Sequence, residues 1–338
     1  MARKGSEPIP GQETPYVPGN KGKKNKSRKK HTGLIAFLII LVVLAIGGAV
    51  FVYAELDKVA KPDTTEVEEE VKYESKVAKA PGVTNIMLIG QDRRPGEDRA
   101  RSDSMILCSM NENTHLIKLV SLMRDMYVPI PEHGNNRINA SYAWGGMPLL
   151  DQTIEDNFDV HIDGNVEVDF EGFMSLIDNI GGVDIELSGE EAEYLNTNNT
   201  GLVNGVTTER WNLVPGVNTL TSMQALAYAR TRFIGNSDWE RTDRQRTVLS
   251  TMAAKVRGLD PISQAAFIHS SLGCLTTDLN AAQLMELAWK VLAKGMDLAD
   301  ESYRLPVDGT YTSESIEGMS VLVPDTAANA AYLKQFIG

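Results

Sequence analysis

Five arginines fall within ALAYARTRFIGNSDWERTDRQR, residues 225–246: Arg230, Arg232, Arg241, Arg244 and Arg246. The chain around them has a formal net charge of -12, so this density of cations is out of keeping with its surroundings. If a helix starts near Ser237 or Asp238, positions 241, 244, 245, 248 and 252 share one stripe, which carries Arg241, Arg244 and Gln245 inward beside Val248 and Met252. Charge entering a core needs counter-charge. One source is an internal ion-pair network to Asp238 and Asp243; the other is an external anion. So many guanidinium groups beside a helix N-terminus favour the anion, and the planar fork of arginine matches phosphate oxygens.

Three more clusters follow apolar runs. GQDRRPGEDRARSDSM places Asp92, Arg94, Arg101 and Asp103 after one such run, SLMRDMYV places Arg124 and Asp125 after another, and NNRINASYAWGG supplies Arg137 and Asn139. Ligand groups commonly gather at the carboxyl ends of strands in α/β sheets. Asp92 and Asp103, with no His or Cys beside them, suit an oxygen-preferring ion such as Mg²⁺. The alternative is loop carboxylates paired with neighbouring arginines. A P-loop, G-x-S-x-G, H-E-x-x-H and C-x-x-C are all missing, and the five histidines are scattered singly. A Ser-His hydrolase or zinc enzyme is therefore disfavoured.

The elements that must position these clusters read as strands at TNIMLIG (84–90), SMILCSMN (104–111), HLIKLVSL (115–122), NVEVDF (165–170), GVDIELS (182–188), YRLPV and MSVLVPD. Helices are expected over 170–180, 222–230, from 238 to 258, over 261–272 and 280–295, and at the closing TAANAAYLKQFIG. The polar, Gly- and Asn-rich stretch 189–211 reads as a long surface excursion. Alternating strands and helices predict a three-layer α/β/α domain with a central mixed sheet over 83–338.

Ahead of that domain the chain changes character. Residues 1–32 hold nine Lys or Arg against Glu7 and Glu13, a balance of about +7 that leaves about -19 for the rest. Residues 33–54, GLIAFLIILVVLAIGGAVFVYA, are uncharged and long enough to cross a bilayer. A cleaved signal peptide has a shorter apolar region, and a core helix shows polar positions that this run lacks. The expectation is a disordered basic tail kept in the cytoplasm, one transmembrane helix, a stalk over 55–82 and an external domain. That placement excludes ATP, NAD and nucleic acid as routine partners. Of the two cysteines, Cys108 sits in an apolar strand, so a buried free thiol is expected rather than a Cys108–Cys274 disulfide.

TNIMLIGQDRR, RSDSM, SLMRDMYV, RINASYAWGG, NIGGVDIEL, and ALAYARTR followed by D-x-x-R-x-x-R-Q resemble, in order, the motifs of the LytR-CpsA-Psr family. The resemblance runs from about Val83 to Lys255, and the basic tail with a single span is also similar. It implies a membrane-anchored phosphotransferase of Gram-positive-type bacteria. Such an enzyme moves an anionic glycopolymer, such as teichoic acid or capsule, from a polyprenyl-pyrophosphate carrier to peptidoglycan.

By the same resemblance, Asp92 and Asp103 look like Mg²⁺ ligands. Arg94, Arg101, Arg124, Arg137, Arg230, Arg232, Arg241, Arg244 and Gln245 look like the pyrophosphate-binding set, with Asp103, Arg124, Arg230 and Arg232 closest to catalysis. Asp103, or else Asp238, is expected to take the proton of the attacking hydroxyl. Met123 stands where the family usually has Pro, which is expected to loosen the turn that aims Arg124. Helices 170–180 and 222–229 would line an apolar tunnel for the lipid tail, although the same residues suit an ordinary core. A non-catalytic receptor for anionic polymer and a lipid pyrophosphatase are the rival readings.

Overall fold

The computed structural model describes Tyr73, residues 75–91, 102–198, 211–232, 238–260, 270–280, 296–299 and 301–338, with scattered positions between 263 and 290. All lie in the compact unit His31–Gly338. The expected tail and membrane span fall outside the described residues, as does most of the stalk. Among the described residues no helix is long and apolar enough to cross a membrane.

The central sheet is mixed. β1 (Val83–Gln91) pairs antiparallel with β2 (Ser102–Asn111), which pairs antiparallel with β3 (Leu116–Leu122). On its other side β1 runs parallel to β6 (Gly164–Asp169), and the short β9 (Thr276–Thr277) closes that edge antiparallel. β10 (Asp297–Leu298) and β11 (Tyr303–Leu305) both run parallel to β3 at the far edge. The carboxyl ends of β1, β3 and β6 therefore emerge on one side of the sheet, beside the start of β2.

These strands read as unbroken apolar runs because both faces are covered. Ile86, Leu88, Ile106, Cys108 and Leu119 face a core shared with α2 (Phe170–Asn179), α4 (Ser222–Arg230) and α5 (Asp238–Arg257). Met87, Ile89, Met105, Leu107 and Val120 face a second core, against α1 (Asn139–Phe158) and α6 (Thr326–Ile337). Helices thus flank the sheet on both faces, as the alternation of elements predicted. The described positions within 261–272 and 280–295 include helical residues in both spans.

Several elements depart from expectation. β7 (Val183–Leu187) pairs with β8 (Gly216–Leu220) as a two-stranded sheet, and β13 (Met319–Pro324) with β12 (Tyr311–Ile316) as a hairpin, both outside the central sheet. Another hairpin, β4 (Tyr127–Ile130) with β5 (Gly134–Arg137), leads into α1. No element was expected over α1: its Gly146 has φ 64° and Pro148 follows, so the helix is kinked where its sequence carries breakers. Residues 189–198 are not irregular but form α3 (Gly189–Asn198), with Ala192 and Leu195 buried. A capping box explains it: Glu191 N donates to Ser188 Oγ at 3.2 Å, and Ser188 N donates to Glu191 Oε2 at 3.0 Å.

Candidate functional site

A pocket with about 970 Å³ of empty space opens between β1, β2, β6 and the helices α2, α4 and α5. The elements that line it change polarity in one direction. The lining passes from Leu88 to Gly90 along β1, from Val166 to Asp169 along β6, and from Leu226 to Arg230 along α4. Along α5 it passes back from Met252 and Leu249 to Gln245 and Arg241. The result is an apolar chamber with a cationic end beside the carboxyl ends of β1 and β6. Phe170, Phe173, Leu176, Leu226 and Ala229 belong to the chamber wall. Leu176 and Ala229 are also counted in the core, so the expected tunnel and the ordinary core share residues.

Arg230, Arg232, Arg241 and Gln245 are brought together at the cationic end. Thr221 and Gln224 start α4 with a capping box, and Arg230 is its last residue, where a cation suits the exposed carbonyls. The Arg230 guanidinium lies over the Phe170 ring, 4.3 Å from its centroid. Ser104 Oγ donates to Gln245 Oε1 at 3.1 Å, which ties the amide to β2. Asp169 lines the same pocket and caps α2, accepting from Gly172 N at 2.8 Å.

Arg244 is not brought to the pocket. Its Nε bonds Glu191 Oε1 at 2.9 Å, its Nη2 bonds Glu240 Oε2 at 3.0 Å, and its Nη1 donates to Thr231 O at 3.2 Å. Three of the five N–H groups of this buried guanidinium thus go to internal acceptors, while its expected place among the pyrophosphate ligands stays a proposal. What it holds is Thr231, between Arg230 and Arg232, whose own hydroxyl donates to Ala227 O at 2.9 Å. Burial pushes the Glu191 carboxyl up, but hydrogen bonds from Ser188 N–H and Arg244 more than offset it, leaving the group below its usual range. Arg246 is also internal, paired with Asp243 and donating to Ser121 Oγ. Arg244 and Arg246 thus stand in internal networks, Arg244 with Glu191 and Glu240, and Arg246 with Asp243.

Arg124 and Arg137 meet at Asp125, with Nε to carboxylate distances of 3.4 and 3.2 Å. Arg137 also donates from Nη2 to Ser320 O at 2.7 Å. Both stand at the same end of the sheet as the pocket, after β3, yet neither belongs to its wall as described. Arg137 thereby ties the β4–β5 hairpin to β13. The turn before α1 is not loosened by Met123: Met126 N donates to Met123 O at 3.1 Å, and Met123 N donates to Leu305 O at 2.9 Å, a bond that Pro could not make.

Asp92, Arg94 and Arg101 lie outside the described residues. Asp103 is placed by its backbone alone. Gly90 pairs with Ser104 and Gln91 with Ser102, so Asp103 is the extra residue of a β-bulge beside the cationic end. Among the described residues no three His, Cys, Asp or Glu side chains are grouped to hold a metal ion. Both cysteines are free, and Cys108 is fully buried. Asp169, Ser104 and Glu191 were not singled out by sequence, although S-x-x-E and an Asp before FEGF are legible capping signals.

Residues 50–336 match the LytR_cpsA_psr family. The chain is 32% identical over 279 residues to the polyisoprenyl-teichoic acid–peptidoglycan teichoic acid transferase TagU of Oceanobacillus iheyensis, covering 78% of this chain and 82% of that protein. It is 30% identical over 260 residues to the transferase TagT of Bacillus subtilis, covering 74% and 78%. A solved structure described as TagT bound to LIIa-WTA superposes with a TM-score of 0.60 at 25% identity, covering 82% of this chain and 97% of that one.

Proposed function

Because the chain belongs to the LytR-CpsA-Psr family, we propose that it transfers an anionic glycopolymer, such as teichoic acid, from a polyprenyl-pyrophosphate carrier to peptidoglycan. The observation that carries this reading is the pocket's polarity gradient: three arginines at one end, an apolar chamber behind them. A pyrophosphate with a prenyl chain has the same two halves, in the same order.

A sugar hydroxyl attacks the phosphorus next to the polymer, and the bond to the bridging oxygen breaks as polyprenyl phosphate leaves. Arg230, Arg232 and Arg241 hold and spread the charge that builds on the phosphoryl oxygens. Arg244 acts one step back, by fixing Thr231 between two of them. Asp92 and Asp103 are the proposed Mg²⁺ ligands: a set of two carboxylates suits a hard ion, and Asp103 stands on the bulge beside the arginines. Bound there, the ion would supply further positive charge to the same oxygens. The stretch 33–54 is read as the single membrane span, with the tail 1–32 in the cytoplasm and the domain 83–338 outside. That arrangement keeps the apolar chamber near the lipid it takes.

The test uses the full chain in detergent with Mg²⁺, a polyprenyl-pyrophosphate oligosaccharide and peptidoglycan fragments. The expected products are a phosphodiester-linked adduct and polyprenyl phosphate. Lipid bound but left intact points to a receptor instead, and phosphorylated sugar released without acceptor points to a pyrophosphatase. Asp92→Ala and Asp103→Ala are expected to bind lipid and lose turnover; normal turnover in both overturns the metal assignment.

A further inference from the structure

A second, open cavity lies on the other side of Asp169 and Leu275, which belong to both walls. Its chemistry is opposite. Glu167, Asp169 and Glu171 supply three carboxylates, Ser175 and Thr276 two hydroxyls, and the described wall holds no Lys or Arg. Glu167 is buried and held from two sides, by Gln91 Nε2 and by the Tyr142 hydroxyl, both of which donate to it. Asp169 is held at the partition by its bond from Gly172 N. Gly172 itself lets the far wall approach, since a Cβ there would stand 2.5 Å from Cys274 O. The three carboxylates are not gathered around a point, as a metal would need.

Charge sorts the ligands of the two chambers. A pyrophosphate is drawn to the arginines and repelled by three carboxylates. A hydroxyl-rich sugar chain is the complementary guest, because its O–H groups donate charge-assisted hydrogen bonds to carboxylates. We propose that this second chamber binds the acceptor glycan, and that Asp169, on the partition, takes the proton of the attacking hydroxyl. The proposal rests on the transferase reading above. In the step, the sugar oxygen–phosphorus bond forms and the bond from phosphorus to the bridging oxygen breaks. The electron pair leaves with polyprenyl phosphate, while the hydroxyl proton passes to Asp169 and then to water. The base therefore stands opposite the arginines rather than in the loop that carries Asp103.

Binding and turnover are read separately on the full chain in detergent. A β-1,4-linked N-acetylglucosamine tetrasaccharide is titrated calorimetrically. Wild type is expected to bind it, and Glu171→Lys, an exposed change, to bind at least about tenfold more weakly, with affinity for the polyprenyl-pyrophosphate donor unchanged. Asp169→Asn retains a capping side chain; it is expected to bind both ligands while kcat falls at least about a hundredfold. Equal tetrasaccharide affinity in wild type, Glu171→Lys and Glu171→Gln, or no binding by wild type, overturns the glycan chamber. A full-rate Asp169→Asn overturns the base. If wild type binds the tetrasaccharide through Glu171 yet forms no adduct, the transferase reading fails and the glycan site stands.

Discussion

At the carboxyl ends of β1 and β6, Arg230, Arg232 and Arg241 face an open pocket; at the amino end of β6, Asp151 and Asp278 close over Asn165. The Asn165 amide donates from Nδ2 to Asp151 Oδ2 at 2.8 Å and to Asp278 Oδ2 at 2.7 Å, and its backbone N–H donates to Asp278 Oδ1 at 2.7 Å. Burial pushes the Asp151 carboxyl well above its usual range, against the lowering effect of Asn165, and Asp278 and Glu155 push the same way. Burial likewise raises Asp278. One end of the sheet keeps charge facing a space that a ligand can fill, and the other shuts charge away and shifts its ionisation. The first arrangement suits the proposed anionic ligand, and the second holds the sheet edge together.

The largest expected effect breaks the open end alone. Arg230→Lys or Arg232→Lys leaves a point charge where a planar fork stood. Each lost transition-state contact is worth about 2–4 kcal/mol, so turnover should fall at least about a hundredfold. Thermal unfolding should stay near wild type. Wild-type turnover in both variants would remove these arginines from the machinery.

Arg244→Ala tests the boundary between the two kinds of charge. It strands Glu191 and frees the Thr231 carbonyl, and should cost roughly 2 kcal/mol of stability at neutral pH. Glu191 titrates below its usual range when folded, so its contribution is present above the unfolded value and is lost as pH falls through the folded one. Urea unfolding should therefore show a smaller gap between variant and wild type near pH 4 than at pH 7. A gap that is constant with pH would mean that the ion pair contributes little.

The smallest effect belongs to the closed end. Because Asp151 is raised, its contribution is present below the unfolded value and is lost as pH rises through the folded one. Asp151→Asn removes that titration and should flatten the decline of stability with rising pH, by about 1 kcal/mol per pH unit across the range where the wild type titrates. Transferase rates should barely change. Identical pH profiles of unfolding in the two proteins would show that Asp151 does not titrate in the folded chain.

Much of the fold was legible because its signals are local. β1, β2 and β3 are continuous apolar runs, α4 starts and ends where its capping box and Arg230 stand, and Asp325 caps α6. α1 was not legible because Gly145, Gly146 and Pro148 interrupt a helix that only packing against the sheet and α6 makes worthwhile. β4, β5 and β12 are short and half-polar, so alternation carried little signal there.

For the site, sequence alone determined which residue types were available and in what order: an arginine stripe at helical spacing, carboxylates after strand ends, and the motifs that mark the family. It could not decide between Arg241 and Arg244, three residues apart on one stripe and equally buried. Tertiary structure gives the two different surroundings. Glu191, 53 residues away in the sequence, reaches Arg244 and takes its charge inward. Arg241 instead lines the pocket, beside a Gln245 that is tied to Ser104 from 141 residues away. What stands near each guanidinium is supplied by distant chain, which spacing along one helical stripe does not encode.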